Sequence, residues 1–166
     1  MIAPDITADL QDRYWQAAGL MLLHHTNPWE LDEALCDWGY GLGPCAAQDL
    51  LGLDRVLARL ARPHNPILPR MVAEGRMGKS GGVGYYRYPG GGGAVIDPLI
   101  EDLIREEAWF ANVARSERGD TELTAAMNEA VAQGRAALIA AGADRAAVAD
   151  AIVDGLHFPR DRLSEI

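Results

Sequence analysis

Apolar residues recur every three or four positions along most of this 166-residue chain, and that period predicts helices. From about Thr7 to His24, Leu10, Tyr14, Ala17, Ala18, Met21 and Leu22 share one helical face. Asn27-Pro28-Trp29-Glu30 reads as a helix start, with Asn as N-cap, Pro first and Glu third. That helix runs to about Trp38, where Gly39-Tyr40-Gly41-Leu42-Gly43-Pro44 stops it. A third helix is predicted from Pro44 to Ala61, with Leu50, Leu53, Val56, Leu57 and Leu60 on one face. Arg62-Pro63-His64-Asn65-Pro66 breaks it, and a short helix follows near Leu68 to Glu74. Beyond the linker-like Pro89-Gly90-Gly91-Gly92-Gly93, Asp97-Pro98 opens a helix to about Arg115. Its inward residues are expected to be Leu99, Leu103, Ile104, Ala108 and Trp109 or Phe110. An alanine-rich helix from Thr121 to Ala141 ends at Gly142, and Asp144 caps a last helix that stops near Gly155.

A weak repeat runs through this pattern. Leu31, Ala34, Leu35 and Asp37 correspond, 117 residues on, to Val148, Ala151, Ile152 and Asp154. The spacing is too long for a solenoid and fits two related helical halves. We therefore expect a first half over 1–89, a Gly-rich linker over 90–96 and a second, degenerate half over 97–166. Only Tyr85 to Tyr88 invites a strand, so the expected class is all-α.

The least helical stretch is Gly75-Arg76-Met77-Gly78-Lys79-Ser80-Gly81-Gly82-Val83-Gly84-Tyr85-Tyr86-Arg87-Tyr88. Its glycines permit positive φ and close backbone approach, while its tyrosines require a surface to pack on. Lys79 is the only lysine in the chain. A phosphate-cradling P-loop is a poor match: Ala73 stands where its first glycine belongs, and a helix precedes the loop. Gly82-Val83-Gly84 begins a dinucleotide fingerprint, but Arg87 replaces its third glycine and no helix follows.

Net charge of −9 argues against broad binding to nucleic acid or to an anionic membrane. The charge is uneven, however. From Arg55 to Arg87 seven basic residues face one acid, Glu74, leaving −15 on the rest. Such a zone suits one phosphorylated ligand or an acidic partner face, and equally an ordinary solvated arginine surface. Cys36 and Cys45 form no metal-ligand set or C-x-x-C motif and are expected to be reduced. No basic-then-apolar leader is visible at the N-terminus, and no apolar run reaches the ~20 residues of a membrane span, so a cytoplasmic location is expected.

The Gly/Tyr loop resembles the G-[RK]-K-x-G-x-G-[FY]-Y-x-Y segment in the all-helical C-terminal region of 3-hydroxyacyl-CoA dehydrogenases. Trp38-Gly39-Tyr40-Gly41-Leu42-Gly43-Pro44 looks like that family's F-G-x-P-M-G-P turn, with Gly41 in place of its proline. Gln48-Asp49-Leu50-Leu51-Gly52-Leu53-Asp54 looks like the following x-D-x-x-G-L-D, and Leu156-His157-Phe158-Pro159 like the G-F-P turn of a second half. The resemblance implies a helical bundle of two related halves, like the 6-phosphogluconate/3-hydroxyacyl-CoA dehydrogenase C-terminal domain. It implies a share of an acyl-CoA cleft, with Lys79, Gly82, Gly84 and Tyr86 as substrate-binding residues, and a homodimer. NAD is implied for the full family enzyme, whose cofactor site and catalytic His–Glu pair lie in an N-terminal Rossmann unit. This chain has no strand–G-x-G-x-x-G–helix segment, so we expect no cofactor bound by it alone, no catalytic residue of its own, and a separate Rossmann-domain subunit as one available partner. A non-catalytic helical interaction or scaffold protein is the competing expectation.

Other candidates are weaker. The family's asparagine early in the first helix, beside the substrate carbonyl, falls on Thr7; Asn27 and Asn128 are out of register, and Asn27 already has a capping role. His24 and His25 are adjacent on a helix and do not face each other, and no third metal ligand is near; His64 and His157 are lone loop histidines. Asp49 and Asp54, on one predicted helix, would point about 140° apart, so Asp49 is expected to bond backbone groups in a turn. Trp15, Trp29, Trp38 and Trp109 are expected in the core or at an interface.

Overall fold

The computed structural model describes residues 5–60, 62 and 65–166. His64 lies outside them. The described residues form α1 (Ile6–His24), α2 (Pro28–Trp38), α3 (Pro44–Leu51), α4 (Leu53–Arg59), α5 (Ile67–Ala73), α6 (Pro98–Phe110), α7 (Asp120–Ala140) and α8 (Arg145–Leu156). Three 3-10 turns, Lys79–Gly81, Pro89–Gly91 and Arg160–Glu165, complete the regular structure. The fold is all-α, as the periodicity requires. Tyr85 to Tyr88 make no strand; Val83 and Arg87 take part only in isolated bridges, Arg87 with Val95.

Local chemistry sets most boundaries. Asp5, Asn27, Asp97 and Asp144 each accept a backbone N–H from the first turn of α1, α2, α6 and α8. Pro28 and Pro98 occupy first helical positions, where their missing N–H costs nothing. The carbonyl end of α1 is closed from outside: the Arg115 guanidinium donates to the carbonyls of Leu22, Leu23 and Thr26.

The two halves interlock through α1. Its buried face (Leu10, Tyr14, Ala18, Leu22) packs on α7 and α8, and α2 packs on α7. The repeat explains this crosswise arrangement, because α1–α8 and α2–α7 are equivalent contacts. Leu31 and Leu35, with their counterparts Val148 and Ile152, are fully buried. The polar contacts repeat as well. Gln11 donates to the Gly155 carbonyl near the end of α8, and Asn128, 117 residues later, accepts the Tyr40 hydroxyl just past the end of α2. An aromatic cluster of Tyr14, Trp38, Tyr40 and Phe158 fills the seam.

Two helix expectations are corrected. The helix drawn from Pro44 to Ala61 is two helices, broken at Gly52, which adopts φ +99° and ψ 122°. The break frees the Leu53 N–H to donate to the Met77 carbonyl of the Gly/Tyr loop at 2.9 Å, and leaves Leu50 exposed rather than inward. The helix opening at Asp97 ends at Phe110, not Arg115; Leu103, Ile104 and Ala108 face inward as expected, but Leu99 and both Trp109 and Phe110 do not. Ile100, Leu103, Ile104 and Ala108 are buried, while Leu99, Trp109 and Phe110 are 64%, 79% and 70% exposed.

Candidate functional site

The Gly/Tyr loop is organised around two buried carboxylates, Asp32 on α2 and Asp49 on α3. Asp49 accepts the backbone N–H groups of Tyr85 (2.9 Å) and Tyr86 (3.0 Å) and the Tyr88 hydroxyl (2.7 Å). Asp32 accepts the Tyr86 hydroxyl at 2.8 Å and the N–H groups of Cys45 and Ala46, both at 2.9 Å. The last two belong to the first turn of α3, whose N-cap, Gly43, offers no side chain. Asp32 thus supplies from α2 the anion that the start of α3 lacks. One loop and two helices are joined by six donors converging on two carboxylates.

The glycines follow from this convergence. A side chain at Gly84 would collide with the Asp49 carboxylate and with Gly78, so only glycine lets the loop close around the acid. Arg76 completes the enclosure. It donates to the Gly84 carbonyl at 3.0 Å and forms an ion pair at 2.9 Å with Asp97, itself 3% exposed in its side chain. This pair ties the loop to the start of α6.

Burial dominates the electrostatics. It pushes Asp32 from 3.8 up to about 6, against the opposing pull of its bonds from Cys45, Tyr86 and Ala46. Burial raises Asp49 too, opposed by the same kinds of donors and by the Arg76 charge. The buried Cys45 thiol is pushed up by desolvation and by both carboxylates, which leaves it a packing group rather than a nucleophile.

The four sequence candidates separate into two pairs. Gly84 and Tyr86 are buried, and the Tyr86 hydroxyl is spent on Asp32. Lys79 and Gly82 are exposed, Gly82 with φ +84°. Lys79 Nζ lies 6.0 Å from the centre of the Tyr88 ring, so its charge sits on the outer side of the tyrosine whose hydroxyl holds Asp49. The basic zone is partly consumed internally: Arg70 pairs with Glu74, Glu106 and Glu107, and Arg76 with Asp97. Among the described residues, Arg55, Lys79 and Arg87 form no ion pair. A groove of about 570 Å³ between α2 and α7 lies elsewhere; Asp37, Asp120 and Glu129 line it and would repel phosphates.

Several residues fall outside any site. Asn27 caps α2, His25 Nδ1 lies 2.8 Å from the Ser116 carbonyl, and Thr7 packs its methyl group toward Gly155. Asp54 is exposed on α4, away from Asp49. No cluster of metal-ligating side chains occurs among the described residues. No helix among them is long and apolar enough to cross a membrane. The residues do not fit a dinucleotide pyrophosphate either. The loop opens no α-helix, and the anion its N–H groups meet is the chain's own Asp49.

The family model described as "3-hydroxyacyl-CoA dehydrogenase, C-terminal domain" matches residues 6–88, from the first residue of α1 to the last tyrosine of the loop. A peroxisomal bifunctional enzyme of Danio rerio is 32% identical over 113 residues, covering 55% of this chain and 16% of the relative. A peroxisomal fatty acid beta-oxidation multifunctional protein of Oryza sativa subsp. japonica is 30% identical over 102 residues, covering 56% of this chain and 14% of the relative. The chain therefore matches only a small part of each relative's length. The crystal structure of the dehydrogenase part of multifunctional enzyme 1 from C. elegans superposes with a TM-score of 0.71 over 91% of this chain and 36% of that one. Its sequence identity is 19%, so it speaks for the fold.

Proposed function

The chain belongs to the 3-hydroxyacyl-CoA dehydrogenase C-terminal-domain family, and from that premise we propose that it is the acyl-CoA-binding and dimerisation region of a β-oxidation-type 3-hydroxyacyl-CoA dehydrogenase. The observation that carries this is the loop itself. The family match ends on it, two buried carboxylates hold it rigid, and it presents Lys79 outward on Tyr88. A preorganised loop with one exposed ammonium suits a phosphate of a CoA ester, since little ordering entropy remains to be lost on binding. Lys79 and Gly82 would meet the ligand; Gly84 and Tyr86 would shape the loop behind them. Hydride transfer needs NAD held by another domain, supplied in the same or a separate polypeptide.

A second reading, a non-catalytic helical dimer acting as a scaffold, is favoured by the inward orientation of Gly84 and Tyr86 and by threonine at position 7. Two assays separate the readings. The purified chain should not oxidise NADH with acetoacetyl-CoA and should not bind NAD in the micromolar range. It should bind the CoA ester. Turnover by the chain alone overturns the proposed division of labour, and absence of CoA-ester binding leaves the scaffold reading.

A further inference from the structure

The Tyr86 hydroxyl has one hydrogen and two acceptors within reach. Its oxygen lies 2.8 Å from Asp32 Oδ2 and 3.2 Å from the carbonyl oxygen of Pro28, the first residue of α2. Asp32 Oδ1 already takes the Cys45 N–H, and Oδ2 takes the Ala46 N–H. The Tyr88 hydroxyl differs: among the described residues it reaches Asp49 alone.

The charges around these groups are unbalanced. Asp32 and Asp49 are both buried, and neither forms an ion pair among the described residues. Arg76 bears on Asp49, but it is itself paired with Asp97 at 2.9 Å. Besides Tyr86, Asp32 faces the Cys45 thiol and the Asp49 carboxylate on α3 and Tyr85 and Tyr88 of the loop. Tyr14 on α1 and Cys36 on its own helix complete its surroundings, and none of these groups carries a positive charge. Two neighbouring carboxylates held out of water disfavour double ionisation, so one of them takes up a proton before the other.

We propose that Asp32 is the proton-holding member of this pair and that Tyr86 is its latch, exchanging hydrogen-bond partners when the proton arrives. With Asp32 ionised, the Tyr86 hydroxyl donates to Oδ2. When a proton from solvent binds Oδ2, the new O–H donates to Tyr86 Oη. The Tyr86 hydrogen then turns about the Cζ–Oη bond onto the Pro28 carbonyl. No heavy atom has to move, and each buried donor keeps an acceptor. Oδ1 retains the Cys45 N–H, and Oδ2 keeps a lone pair for Ala46. Asp49 has no such alternative. A proton there would confront the donors from Tyr85, Tyr86 and Tyr88, so Asp49 keeps the negative charge that Arg76 favours. Burial, the largest influence on Asp32, raises it to about 6 and acts in the same direction. Above that pH a second negative charge forms beside Asp49, and the joint between α2, α3 and the loop weakens. The Tyr88 ring beneath Lys79 keeps its bond to Asp49 in both states.

Carbon-13 NMR titration of the wild-type chain tests this without any substitution. Asp32 Cγ, Tyr86 Cζ and the Pro28 carbonyl carbon should move together, with one midpoint of about 6 in place of 3.8. Asp49 Cγ and Tyr88 Cζ should respond only at lower pH. In Asp32→Asn, Tyr86 Cζ and the Pro28 carbonyl should lose that midpoint. An Asp32 midpoint in the ordinary carboxylate range overturns the resident proton, and Asp49 titrating first overturns its assignment to Asp32. Asp32 titrating as expected while Tyr86 Cζ and the Pro28 carbonyl stay fixed overturns the latch.

Discussion

Replacing Asp49 by alanine should cost more than any surface change in the chain, and the structure shows how much. The substitution leaves two backbone N–H groups and the Tyr88 hydroxyl without their acceptor in a region where Asp49 is 1% exposed. Each abandoned buried donor costs about 1–3 kcal/mol, but local relaxation and admitted water will satisfy some of them. The net loss should be about 3–5 kcal/mol, the range for breaking a buried charged network. Asp49→Asn should cost less, because its amide oxygen still accepts while its NH₂ meets donors. Chemical denaturation gives the stability, and hydrogen exchange at the Tyr85 and Tyr86 amides shows where protection is lost. Gly84→Ala gives an independent handle, since its added methyl strikes the same carboxylate. If one contact underlies both effects, the double variant with Asp49→Ala should be markedly less destabilised than the sum of the singles. A loss under 1 kcal/mol for Asp49→Ala, with amide protection unchanged, refutes the clasped loop, as does strict additivity in the cycle.

Three further outcomes follow from the same network. Asp32 has a folded pKa near 6 against 3.8 when unfolded, so the folded state binds its proton more tightly. Its contribution is fully present below about pH 4 and is lost as pH rises through about 6; stability should increase on lowering the pH from 7.5 to 5.5, and Asp32→Asn should flatten that slope in urea titrations. Arg76→Ala, which breaks a pair only 12% and 3% exposed in its side chains, should cost about 3–5 kcal/mol and loosen the loop from α6; a melt unchanged from wild type refutes this. Lys79→Ala should leave the melting temperature untouched, whereas Gly82→Val and Tyr86→Ala should lower it by forcing the backbone and by emptying a packed site.

Helix starts were the most legible part of the sequence, because Asn27-Pro28, Asp97-Pro98 and Asp144 carry their capping chemistry locally. Where a tertiary partner decides, periodicity was silent. Gly52 interrupts a good apolar stripe because the loop claims the Leu53 N–H, a contact invisible in the local pattern. On α6 the inward positions Leu103, Ile104 and Ala108 were legible, but Leu99, Trp109 and Phe110 face outward, whereas pattern reasoning assigns large hydrophobics to the core. Asp49 was expected to bond backbone in a turn; it does so thirty-six residues away, through the tyrosines of the loop. Asp32 was missed altogether. Its signal was an acid flanked by the core residues Leu31 and Leu35, facing a helix that begins Gly43-Pro44 without a capping side chain.

The central claim, that this loop meets a CoA ester, is tested most directly by calorimetric titration of the chain with acetoacetyl-CoA. The account expects saturable binding that Lys79→Ala weakens by about 1 kcal/mol or more, the scale of a charge-assisted hydrogen bond, with no change in melting temperature. No detectable binding at millimolar ligand, or binding equal in wild type and Lys79→Ala, contradicts it.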